Sequence, residues 1–325
     1  MQNKGETRRG LLKKLTNSTA MMIFLVLIVL GLIIQIFTGA FLTRYNMITN
    51  IRTISFTAIV AIGQTLVLLT GGIDLSVAGI AGLSGIISAW LMVNTGLHPY
   101  LCILITVIGG LFCGCLNGLL ITRVRINPFI TTLATGEMFT GFIYVITQGW
   151  PIQNVPKEAV YLGQGMIANT IPMPVIFMAI LAVLFVYVLR YTPFGRHIYA
   201  IGGNEHAARI VGIHVFRTKT MVYALSSMMA SFAGVLIMCR LGAAQPSTAS
   251  NWVMPSVTAA ILGGTSMSGG IGGILGTIVG AALTTVISNA IVLLSISTYW
   301  EKVITGLVVL AAVAIDTMKK RIDNN

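Results

Sequence analysis

Two carboxylates stand where an ionised group is costly. Asp74 and Glu137 are the acidic residues that fall within or at the edge of apolar runs ahead of the last run of the chain. A charge in hydrocarbon is expensive, so each is a functional candidate by default. Asp74 also has an ordinary task open to it. In Thr70-Gly-Gly-Ile-Asp-Leu-Ser-Val77 it follows two glycines and precedes an apolar run, where it can accept from orphan N–H groups at a helix start. Capping and a gating or coupling role both stay open for it. Glu137 has no basic partner at helical spacing, which points to a water-filled path or to a donor on another helix.

The other reactive types assemble into nothing. His197, His206 and His214 share one basic segment without Cys or carboxylate at ligand spacing, so they read as solvated loop residues. Cys113 and Cys115 are two apart and face different sides of a helix, which suits neither a disulfide nor a metal pair; Cys102 and Cys239 are lone apolar positions. No metal site and no catalytic constellation is expected. The glycine-rich segments lack the Gly-Lys-Ser/Thr ending that holds nucleotide phosphates, so no cofactor is expected on this chain.

The elements that position these groups follow from composition. Of 325 residues, 56% are hydrophobic and 9% charged, against about a quarter charged in a soluble domain. Such apolar content excludes disorder, and four Cys exclude a disulfide scaffold. The net charge of +12 does not indicate nucleic acid, because the cations sit in short gaps between apolar runs. The expected fold is an all-α membrane protein, a polytopic bundle of about ten transmembrane helices, some short or broken. The runs are Ala20–Gly39, Ile54–Thr70, Leu75–Val93, Tyr100–Ile121, Pro128–Thr147, Pro174–Tyr191, Met221–Arg240, a short Pro255–Gly264, Ile274–Leu294 and Val303–Ile315.

The first run is too long for a cleaved signal and is taken as a retained span. With the N-terminus inside, fifteen of the 20 Lys and Arg fall on the inner side, so both termini are expected in the cytoplasm. The chain then divides into a cytoplasmic segment 1–19, one transmembrane unit 20–318 and a cytoplasmic tail 319–325. Two gaps exceed a turn, an external one at 148–171 and a basic cytoplasmic one at 192–220. Gly110, Gly114 and Gly118, and Gly272, Gly276 and Gly280, recur every four residues, as close helix packing requires. Two glycine-rich breaks, around Gly71-Gly72 and Gly263-Gly264, sit in opposite halves and point to a transport path.

Four ordered segments resemble the ribose-type permeases of ATP-binding-cassette importers. They are Thr70–Val77, Asn127-Pro-Phe-Ile-Thr-Thr-Leu-Ala-Thr135, Phe194-Gly-Arg-His-Ile-Tyr-Ala-Ile-Gly-Gly-Asn204 with Ala207-Ala208 and Gly212-Ile213, and Leu262–Gly270. The likeness runs from about residue 45 to 317. It implies a bacterial inner-membrane permease subunit for a simple sugar and a second permease chain, the same or a paralogue. It also implies an extracytoplasmic sugar-binding protein, and cytoplasmic ATPases that hold the ATP and magnesium. Two departures concern the substrate: Met254-Pro255 where many relatives carry Glu-Leu, and Thr140-Gly141 where they often carry Arg-Gly.

On this resemblance, Trp150, Gln153, Lys157 and Glu158 are expected to meet the binding protein. The coupling residues to the ATPase are expected to be Gly202, Gly203, Asn204, Glu205, Ala207, Ala208, Arg209 and Gly212. Gly203–Val211 is expected to form a short helix with Asn204 as N-cap and Glu205 in its first turn; the alternative is an amphipathic helix lying on lipid. Gly71, Gly72, Asp74, Glu137, Gly263 and Gly264 are the pathway or gating candidates. Ser84, Asn117, Thr132, Ser226 and Asn289 are path-lining candidates by residue type, with interhelical hydrogen bonds as their other use. The rival function is an ion-coupled secondary transporter of a small neutral solute, which needs a chain of ionisable groups in the membrane.

Overall fold

A computed structural model describes residues 19–297 and, beyond them, 299–300, 302–304, 306–307 and 310. The expected tenth span, Val303–Ile315, and the two terminal segments therefore lie largely outside the described residues. Helices α1 (Thr19–Thr38), α2 (Arg44–Leu69), α3 (Val77–Asn94), α4 (Pro99–Leu119) and α5 (Pro128–Thr147) follow in order. Then come α6 (Lys157–Gln164), a hairpin of β1 (Met166–Ile167) and β2 (Ile171–Pro172), and α7 (Met173–Tyr191). The rest is α8 (Pro193–Gly203), α9 (Glu205–Ile210), α10 (Val215–Leu241), α11 (Val253–Leu262) and α12 (Ile274–Leu293). Eight of these, α1–α5, α7, α10 and α12, are long and apolar enough to cross a membrane, and α11 is a shorter apolar helix. The chain is an all-α polytopic membrane protein.

Local sequence sets many of the ends. Asn127 caps α5 by accepting from the Phe129 N–H at 2.9 Å, with Pro128 at the first helical position where its missing N–H does no harm. Thr192 does the same for α8, accepting from Gly195 N–H at 3.2 Å ahead of Pro193. A π-helical turn, Leu120–Val124, closes α4 before Arg125 takes a left-handed conformation.

Two helices start earlier than their hydropathy suggests. The second span begins at Arg44, not Ile54, and the seventh at Val215, not Met221. The added turns are polar, yet their polar groups find partners inside the fold. Asn46 and Asn50 donate to Asn289 Oδ1 at 3.2 and 3.0 Å, and Asn289 donates back to Asn46 at 2.9 Å. Hydropathy counts residue types and does not see such pairing.

Helices α2 and α10 form the centre. Helices α3 and α4 pack on α10, α11 and α12 pack on α2, and α1, α5, α6 and α7 lie around these. Helix α2 rises about 39 Å at 1.5 Å per residue, enough to traverse the whole bundle. The glycine row on α4 is its seam with α10: a Cβ at Gly110 would overlap Ser231, one at Gly114 the Tyr223 carbonyl, and one at Gly118 would lie 2.6 Å from Thr220 Cα. The second row is shorter than its spacing suggests. Gly276 and Gly280 press on Gly263 and Ala259 of α11, but Gly272 lies before α12 and faces Thr265.

Gly114→Val is therefore expected to push α4 off α10 and to cost about 1–3 kcal/mol, the usual range for overpacking. Gly109→Val, on a position with nothing within 4 Å of a Cβ, is the matched control. Equal thermal midpoints for the two purified variants would refute the seam.

Candidate functional site

Three segments that are distant in sequence meet at one end of the bundle. The Leu69 carbonyl, at the C-terminus of α2, is an orphan acceptor that the Gly270 N–H satisfies at 3.0 Å. Gly202 of α8 lies over this pair so closely that a Cβ there would overlap both the Leu69 oxygen and the Gly270 nitrogen. Gly269, at φ +87°, would put a Cβ 2.9 Å from Gly202 Cα and from the Gly71 nitrogen. Both glycine-rich breaks and the helix pair α8–α9 thus share one backbone junction without side chains. Tyr199 of α8 adds a hydroxyl bond to Gly272 O at 2.9 Å.

Just inside that junction lies Asp74. Its carboxylate accepts from Ser76 N–H at 3.0 Å and from Ser76 Oγ at 2.6 Å on one oxygen. The other oxygen accepts from Ser226 Oγ of α10 at 2.9 Å. Asn117 of α4 donates to Ser76 Oγ at 2.9 Å, and Gln64 of α2, oriented to match its partners, brackets the Asp74 backbone at 3.1 and 3.2 Å. Asp74 accepts from no N–H of α3 itself; it closes the turn at Ser76 that precedes the helix and ties that turn to α10. No Lys or Arg pairs with it among the described residues. Two of the expected path-lining residues, Asn117 and Ser226, are spent in this cluster, and Thr132 donates to the Pro128 carbonyl at 2.8 Å. Ser84 is buried on α3.

Of the helix pair, α9 forms as the local sequence suggested, while α8 was not expected and takes Gly203 as its last residue. Asn204 Oδ1 accepts from Ala207 N–H at 2.9 Å, and α9 runs Glu205–Ile210. Glu205 bonds Arg209 one turn on and reaches Lys219 of α10 at 2.6 Å, which fastens α9 to the start of α10. Partial burial pushes the Glu205 carboxyl up, but the hydrogen bonds and charges of Lys219 and Arg209 outweigh it and hold the group below the usual carboxylate range. Gly203, Ala207, Arg209 and Gly212 are exposed, Gly202 is half-buried, and Ala208 packs with Ile201 and Val215. The segment 192–220 is thus two helices and the first turn and a half of α10.

The segment 148–171 caps the opposite end. Gln164 donates to Arg240 O at 2.8 Å, Ile152 pairs with Ala244, and Arg44 and Arg52 donate to the carbonyls of Asn169 and Gln164 at 2.8 and 3.0 Å. Trp150, Gln153, Lys157 and Glu158 are all exposed on this cap. Glu137 lies halfway along α5 on its exposed face, beside Leu133 and Met138, with no described donor.

At the same end, α2, α11 and α12 border an open cavity of about 440 Å³. Hydroxyls and carboxamides of Asn50, Thr57, Thr284, Ser288 and Asn289 share its wall with apolar surface from Trp252, Pro255, Ile287 and Val292. No charged side chain lines it among the described residues. Thr248 Oγ1, also in the wall, is enclosed and has no hydrogen-bond partner. Asn289 alone of the residue-type candidates reaches this space. The 242–252 connection that supplies Thr248 and Trp252 carries no signal beyond its polarity, whereas Pro255 of the Met254-Pro255 departure falls on the wall itself.

A bundle of this kind, with a cap at one end, an uncharged cavity at that end and a helix pair at the other, is a membrane transport permease. The chain belongs to the family described as "Branched-chain amino acid transport system / permease component", whose model matches residues 46–313. It is 40% identical over 298 residues to the ribose import permease protein RbsC of Bacillus subtilis (strain 168), covering 91% of this chain and 92% of that one. The corresponding protein of Haemophilus influenzae is 36% identical over 297 residues, covering 90% and 91%. The fructose import permease protein FrcC of Rhizobium meliloti is 33% identical over 307 residues, covering 92% and 85%. No solved structure matches the chain.

The junction makes adjacent glycines unequal. Gly202→Ala is expected to speed hydrogen exchange of the Gly270 amide about tenfold, equivalent to roughly 1.4 kcal/mol of lost protection. Gly203→Ala, with open space around a Cβ, is expected to leave it unchanged. Equal exchange in both variants would show that the close approach carries no load.

Proposed function

We propose that this chain is the transmembrane subunit of an ATP-binding-cassette importer for a simple sugar. It pairs with a second permease chain and with cytoplasmic ATPases that bind the ATP and magnesium, and it receives the sugar from an extracytoplasmic binding protein. The membrane is the bacterial inner membrane, with both termini in the cytoplasm. The neutral cavity at the capped end carries this reading. An uncharged polyhydroxylated solute needs weak hydroxyl and carboxamide partners and an aromatic face, and the wall offers these. The names of the relatives, ribose and fructose import permeases, support the same solute class.

The exposed cap residues Trp150, Gln153, Lys157 and Glu158 are the proposed contacts of the binding protein. At the other end α9 is the proposed contact of the ATPase, because its push would pass through Gly202 to both glycine-rich breaks. Glu137 supports a second subunit: a carboxylate halfway along an exposed face of a spanning helix calls for a facing chain or the wetted path between two chains. The ion-coupled alternative is disfavoured, since Asp74 is enclosed by hydroxyl donors and Glu137 stands alone.

Two outcomes test this in vesicles that hold the permease, its ATPase and the binding protein. Uptake of labelled sugar should follow ATP and persist with an uncoupler. Replacing Ser288 by Ala together with Thr284 by Val should lower kcat/KM about 10–100-fold, the loss of two neutral hydrogen bonds. Unchanged uptake would remove the cavity from the path. Replacing Glu205 and Arg209 together by Gln should leave ATP hydrolysis running while uptake falls; retained coupling would sink the role given to α9.

A further inference from the structure

A second cavity, of about 840 Å³, opens at the α8–α9 end between the α4–α5 connection and the start of α10. Arg125 and Asn127 line one side, and Arg209, Arg217 and Lys219 the other. The one carboxylate in the wall is Glu205, and Lys219 and Arg209 already hold it. Arg125 and Arg217 have no ion pair among the described residues. The space is therefore a site of net positive charge.

The rest of the wall says which anion. Ile126 and Phe216 line the cavity with their apolar side chains exposed, and Val124 and Phe129 are exposed immediately beside it. These continue into the exposed face of α4 at Phe112, Leu116 and Leu119, which lies against hydrocarbon in a spanning helix. A free phosphate would satisfy the two arginines and leave this apolar rim uncovered. An acidic protein surface would meet the arginines but would have to displace lipid from the rim. An anionic phospholipid meets both at once, its phosphate among the guanidiniums and its chains along α4.

We propose that this cavity holds the headgroup of an anionic phospholipid from the leaflet that meets this end of the bundle. Such a lipid would lie beside α9 and against Arg209, so its presence would stiffen the fastening of α9 to α10. The site needs no sugar and no ATP.

The test is native mass spectrometry of the full chain released from micelles doped equally with phosphatidylglycerol and phosphatidylcholine. The wild-type chain is expected to retain phosphatidylglycerol in preference. Arg125→Gln with Arg217→Gln should weaken that retention about 30-fold, at about 1 kcal/mol for each cation near an anionic surface. Arg125→Lys with Arg217→Lys should keep most of it, which separates loss of charge from loss of fold. Arg123→Gln with Arg196→Gln removes the same charge from exposed positions outside the cavity and should have little effect. Four results would overturn the proposal: equal retention of the two lipids, equal weakening by the outside pair, displacement of the lipid by millimolar inorganic phosphate, or its displacement when the ATPase is added.

Discussion

The contact on which the rest of the structure depends is made by backbone alone. The last carbonyl of α2 must be satisfied, and the Gly270 N–H satisfies it. Gly202 can lie over that bond only because it has no side chain. Any methyl group at this point would separate the end of the central helix from the two breaks and from the helix pair. Backbone packed on backbone has no rotamers through which a displacement can dissipate. A push on α8 would therefore reach Leu69 and Gly270 as a movement of main chain, which is what the proposed coupling requires. Helix α9 follows Gly203 and its cap Asn204, and its first residue, Glu205, is fastened to Lys219. Ala208 holds the helix against Ile201 and Val215, while Ala207 and Arg209 stay exposed.

The opposite end is organised by cations. Arg44, Arg52 and Arg240 break the expected excess of positive charge on the inner side, and each has structural work. The first two donate to carbonyls of the capping segment, and Arg240 donates to Thr53 Oγ1 at 3.3 Å while stacking its guanidinium on Phe56. Arginine suits this use, because several donors on one planar group reach carbonyls that no helix satisfies. The cap is thereby locked to the start of α2 and the end of α10, the two central helices. The cavity at this end is walled by α2 on one side, so the same helix joins the neutral cavity to the glycine junction.

What was legible in the sequence was local or repeated. Asn204 is recognisable as a cap from its neighbours alone, and the glycine spacing of α4 announces a seam without naming its partner. The spans were legible because apolar length is a property of a single run. The junction was not, since Leu69, Gly202 and Gly270 come from three regions whose meeting is a matter of packing. The same holds for the cavity: Thr57, Thr248 and Ser288 are unremarkable hydroxyl residues until α2, α11 and α12 bring them together. Asn117 and Ser226 take the interhelical use open to them for the converse reason. Residue type marks a polar group in a membrane but cannot say whether another buried group has already claimed it, as the Asp74 cluster has.

That cluster bears on what drives the transport. A carboxylate that accepts three hydrogen bonds from Ser76 and Ser226, with no cation beside it, is a fixed acceptor in a closed shell. To carry a coupling ion it would have to open to water and exchange those donors on every cycle, unpicking the turn into α3 and its tie to α10 each time. The donors are also joined onward to Asn117, so the rearrangement would spread to α4. A bundle built around so enclosed a carboxyl group gains nothing by moving it. The proposed coupling through α9 leaves that cluster closed, because its push would enter at the Gly202 junction, where backbone rests on backbone.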